Sequence, residues 1–84
     1  MITTIENKQG KKLTFHTQQY ETGLYVIINN NPASQYCVNR TEEKYHKGII
    51  KTAIALGDRV ITTPYPEVLE KALKKKAKEE QCIN

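Results

Sequence analysis

Apolar and polar residues alternate along the first half of the chain and recur at helical spacing along the second. Ile2 to Glu6 and Lys12 to Thr17 read as two strands joined through Asn7-Lys8-Gln9-Gly10-Lys11, where Gly10 can take the positive φ that a hairpin turn needs. In the second strand Leu13 and Phe15 fall on one side, Thr14 and His16 on the other. Gly23 opens Leu24-Tyr25-Val26-Ile27-Ile28, a run with almost no alternation, which predicts a strand covered on both faces. Asn29 to Ser34 is dense in turn formers, and Gln35 to Val38 can return as a fourth strand.

Asn39 followed by Glu42 approximates a capping box and predicts a helix from Arg40 to Leu56. Tyr45, Ile49, Ala53 and Leu56 form its apolar stripe, widened by Ile50 and Ile54. Gly57 stands where a left-handed residue closes a helix. Gly48 inside the helix costs about 1 kcal/mol against Ala, which keeps open a hairpin from Ile50 to Leu56 turning at Gly57-Asp58 into Arg59 to Thr62. Val60 to Thr62 reads as a short strand, with Thr63 as N-cap and Pro64 as first position of a helix from Tyr65 to Glu80. That helix has an apolar side of Tyr65, Val68, Leu69, Ala72 and Leu73, which Lys76 joins, so it is expected to leave the core there. The expected class is α+β: one domain over residues 1–84, a small antiparallel sheet in β-β-β-β-α-β-α order with two helices packed on it, and a frayed tail at 81–84.

A chain of 84 residues is one domain that buries only ~60–65% of its unfolded surface, too little for a deep reaction chamber. No apolar run approaches the ~18 residues of a membrane span, and Met1 to Glu6 lacks a signal-peptide layout, so a cytoplasmic protein without membrane contact is expected. Cys37 and Cys82 are then expected as reduced thiols, Cys37 buried. Asn39-Arg40-Thr41 matches a glycosylation sequon, but a helix cap from Asn39 or Thr41 explains the same letters. The net charge of +4 leans towards acidic partners. The abundance of Lys, Ile, Asn and Thr resembles the style of AT-rich genomes, whose phages and mobile elements encode many small lysine-rich accessory proteins.

Gly23-Leu24-Tyr25 and Tyr36-Cys37-Val38 together resemble the paired strands that name the GIY-YIG endonucleases. The resemblance implies a nuclease remnant, over a small part of the chain. The second motif lacks its glycine, Arg40 follows too closely for the family's helix arginine, and no later glutamate has a metal-ligand setting. Among the chain's own residues, His16, His46, Cys37 and Cys82 include no close ligand pair, so no metal or other cofactor is expected. His46 reads as a solvated helix histidine; His16 faces outward or touches a cross-strand neighbour. Ser34 is turn chemistry, and Cys37 could meet His16 only if their strands pair. Paired carboxylates and a phosphate-cradling glycine loop are missing, so no catalysis is expected.

Two basic stripes compete. From Glu67 to Glu80 five lysines face four glutamates, with Glu67 before Lys71 and Glu70 before Lys74 at pairing distance, so little net field is expected. On the first helix Arg40, Lys44, Lys47 and Lys51 fall within about 60° of one another, and only Glu43 can pair, with Lys47. That stripe is the expected partner-binding surface. An acidic protein surface is the favoured partner, for an accessory inhibitor or modulator. Sequence-independent nucleic-acid binding is the alternative; for single strands it would want aromatics outward on an open sheet.

Overall fold

The computed structural model describes the backbone of residues 1–82 and side chains as far as Glu79. Five strands, β1 (Ile2–Glu6), β2 (Lys12–Tyr20), β3 (Gly23–Ile28), β4 (Tyr36–Val38) and β5 (Arg59–Thr62), form one sheet in the order β4-β3-β2-β1-β5. Every neighbouring pair is antiparallel. Helices α1 (Glu42–Leu56) and α2 (Pro66–Cys82) complete the expected α+β order. The molecule measures 46 × 28 × 17 Å, flat and elongated.

The turns follow their residues. Asn7 Oδ1 accepts from the backbone N–H groups of Gln9 and Lys11, each at 2.9 Å, and Gly10 takes φ +83°. Asn29 and Asn30 both lie in the left-handed region, as short polar side chains tolerate. β1 to β4 make a meander, after which the chain stands at one edge of the sheet and must reach the other to add β5 beside β1. α1 holds Glu42–Leu56 as a 15-residue helix and β5 pairs with β1, which rules out the hairpin alternative over Ile50 to Thr62.

Alternation places Thr3, Ile5, Leu13, Phe15, Thr17, Leu24, Val26 and Val60 on the face beneath α1. Leu24, Val26 and Ile50 are fully buried, and Ile5, Ala53 and Ile54 nearly so. α2 rests alongside α1, and its backbone continues to Cys82. The expected frayed tail at 81–84 and the state of the Cys82 thiol otherwise lie outside the described residues.

Several local expectations need correction. α1 begins at Glu42 with Thr41 as N-cap, its hydroxyl accepting from Lys44 N–H at 3.3 Å, so Asn39 does not cap and Arg40 precedes the helix. Pro66, not Pro64, opens α2, because Thr63 Oγ1 accepts from Tyr65 N–H in a turn before it. The apolar density of β3 does not signal two covered faces: Leu24 and Val26 are buried, while Tyr25 and Ile27 lie on the side without a helix. Leu56 is 63% exposed, and the buried stripe of α1 is His46, Ile50, Ala53 and Ile54.

Candidate functional site

The orientation of α1 is set at its first turns by a histidine. His46 is fully buried, with Nδ1 2.6 Å from the Thr3 hydroxyl and Nε2 2.7 Å from that of Thr17. A neutral imidazole satisfies both, donating from one nitrogen and accepting at the other. Thr3 also reaches Thr63 at 3.2 Å, and the Tyr65 ring centre lies 5.7 Å from that of the His46 imidazole. Burial, and secondarily the Met1 ammonium, pushes the His46 pKa below the ordinary histidine value, with Glu42 opposing. With no exposed surface the ring cannot reach a substrate. It works as a structural pin.

With that side turned inward, the four cations do not all line one hollow. Lys47 and Lys51 flank the buried stripe on the α2 side and line a groove of about 860 Å³ between the helices. Lys44 is exposed on the outer side of α1. Arg40 lies beyond the opposite flank, beside a smaller hollow of about 320 Å³ that Tyr45, Ile49 and Leu56 also line. Of the expected stripe the structure brings only Lys47 and Lys51 into one hollow. Its other wall comes from α2, where Lys71 and Lys75 face the same space.

The lysines of α2 thus divide by direction. Lys74 turns away and pairs with Glu70 at 3.0 Å. Lys76 donates to the Ile54 carbonyl at 2.8 Å, a cation at the C-terminal end of α1 where the helix dipole favours it. Among the described residues no carboxylate lies within 4.0 Å of Lys51, Lys71 or Lys75, while Lys47 meets Glu43 at 3.8 Å. The floor between the two rows is apolar, made by Ile54, Ala55, Val68 and Ala72. Helical spacing within α2 contains the Lys71–Lys75 row; that it faces Lys47–Lys51 depends on how the helices pack.

The sheet's other face carries no helix. Tyr20, 50% exposed, meets Tyr25 edge-to-face at 6.3 Å, and His16 and Gln18 stand beside them. Cys37 is exposed there rather than buried, because β4 is a short edge strand whose side chains at this position face outward. β3 separates Cys37 from His16, so they sit two strands apart, about 10 Å, and make no nucleophile–base pair.

Tyr25 pairs in register with Cys37, and Tyr36 with Val26. The two tyrosines of the GIY-YIG resemblance therefore point to opposite faces and do not converge. Tyr36 instead shares a hydroxyl–hydroxyl hydrogen bond with Tyr45, which ties β4 to α1. Burial, with that bond, holds the Tyr45 phenol well above the ordinary tyrosine range. Among the described residues no three His, Cys, Asp or Glu side chains gather as metal ligands, and no helix is long and apolar enough to cross a membrane. Comparison with known protein families, curated proteins and solved structures found no match to this chain.

Proposed function

We propose that this chain is a small, basic, non-catalytic binding protein that docks its helical side on an acidic region of another macromolecule, as an accessory inhibitor or modulator does. The observation that supports this reading is the convergence of Lys47 and Lys51 with Lys71 and Lys75 on one apolar-floored groove. Like charges facing one another across a groove are held at a cost that partner carboxylates relieve. Exposed pairs contribute only ~0.2–1 kcal/mol each, so the lysines steer and orient while the floor supplies affinity. The reading is tested by titrating ¹⁵N-labelled protein with poly-L-glutamate and following amide shifts. Shifts should concentrate at Lys47, Lys51, Lys71 and Lys75 and fade at about 0.5 M salt, where screening is short-ranged. Shifts confined to the sheet refute it.

The uncovered sheet face favours a second reading, single-stranded nucleic acid stacked on Tyr20 and Tyr25. Anisotropy of a labelled oligothymidylate decides it: stacking binding gives a log–log salt slope of about −0.7 per phosphate neutralised and is lost in Tyr20→Ala.

A further inference from the structure

We infer that the groove between α1 and α2 receives an acidic amphipathic α-helix from a partner protein, about three turns long, laid down as a third helix beside the two. The inference rests on the proposed binding role of this groove and specifies what fills it. α1 and α2 run in the same direction: Tyr65, just before α2, stacks near His46 in the first turns of α1, and Lys76 reaches Ile54 near its end. Lys47 and Lys51 are four residues apart on one wall, as are Lys71 and Lys75 on the other. Each pair is separated by about 6 Å along its axis, roughly one helical turn. A helix whose glutamates recur at i and i+4 on both edges of its apolar stripe matches both rows at once. Its apolar side chains, at i, i+4 and i+7, would meet Ile54, Ala55, Val68 and Ala72.

The ends of the groove carry the opposite sign. Glu43 and Glu67 line one end and Glu79 the other. The twelve-residue step from Glu67 to Glu79 is about 18 Å along α2, or three turns. The best complement is acidic at its middle and basic at both ends. A nucleic-acid strand, negative throughout, would meet carboxylates at each end and gain nothing from an aliphatic floor.

Three labelled probes test this against the full chain by anisotropy. One is a fourteen-residue peptide with leucines at i, i+4 and i+7, flanking glutamates and terminal lysines. The second has the same composition with its leucines spread around the helix. The third is an oligothymidylate of fifteen nucleotides. The aligned peptide should bind about tenfold tighter than the spread one, ~1.4 kcal/mol, and gain helical ellipticity at 222 nm on binding. Lys51→Glu with Lys75→Glu should weaken it by about tenfold or more, and Lys74→Glu by less than about twofold, since Lys74 faces away. Equal binding of both peptides, still sensitive to Lys51→Glu with Lys75→Glu, overturns the helical occupant and leaves acid recognition standing. Binding of neither peptide, or preference for the oligonucleotide, overturns both.

Discussion

Replacing His46 by alanine should bring the protein close to unfolding. The imidazole is fully buried between Thr3 and Thr17, themselves at 0% and 1% exposure. Emptying a site of this size costs about 2–4 kcal/mol in transfer and cavity energy. The threonine hydroxyls also lose their principal partner. Thr3 keeps Thr63 at 3.2 Å and Thr17 keeps the Met1 carbonyl at 3.4 Å, both weaker contacts. That residue of bonding holds the polar penalty to about 1 kcal/mol. The total, about 3–5 kcal/mol, compares with a whole stability of about 4–13 kcal/mol for a chain this long. Urea unfolding followed by circular dichroism at 222 nm measures the loss as a fall in midpoint at unchanged slope. The companion variant Thr3→Val/Thr17→Val/His46→Leu removes donors and acceptors together and should recover to within about 1.5 kcal/mol of the parent. If His46→Ala costs less than about 1 kcal/mol, or the triple variant is no better than His46→Ala, the pin is not what holds α1 on the sheet.

Other measurements probe separate parts of the structure. Because burial lowers the His46 pKa in the folded state, the unfolded chain binds the extra proton. Stability is therefore complete above the unfolded value of about 6.5 and falls as pH drops below it, by at most ~1.4 kcal/mol per pH unit. Urea midpoints between about pH 7.5 and 5 should show the fall, and His46→Leu should flatten it. Thr41→Ala removes the cap of α1 and should cost about 1 kcal/mol, read as a lowered thermal midpoint. Gly23 has φ +143°, and a Cβ there would stand 2.9 Å from the Val38 carbonyl oxygen. Gly23→Ala should consequently loosen β4, raising amide exchange at Tyr36 to Val38 at a cost of about 1–3 kcal/mol. In a spectrophotometric titration, Tyr45→Phe should abolish a phenol that ionises well above the ordinary tyrosine range.

Features with a local cause were legible in the sequence. The Asn7–Lys11 turn, the left-handed Gly57 at φ +82° and the order of the elements all follow from short-range stereochemistry. What depended on an opposing surface was not. Periodicity counts histidine as polar and so placed His46 in solvent; only the threonines of β1 and β2 turn that position into a core site. Leu56 looked like core and is exposed, since the chain turns at Gly57 before the sheet can cover it. The solvent exposure of Cys37 and the open side of β3 depended on the strand order, which the spacing of residues does not encode. The candidate site was half legible. Lys47 and Lys51 stood out, but Lys71 was masked by Glu67, expected as its partner and not within 4.0 Å of it, while Glu70 pairs with Lys74 as their spacing implies.

The placement of β5 has a consequence for how the chain assembles. Thr4 aligns with Thr62 across a separation of 58 positions, whereas the meander joins close neighbours. The meander can thus zip early, leaving β1 as a bare flank until α1 has crossed and delivered its second neighbour. During that interval the unpaired rim of β1 is a template for another chain's strand, and a polypeptide cut between α1 and β5 would keep that rim permanently, making self-association its default fate.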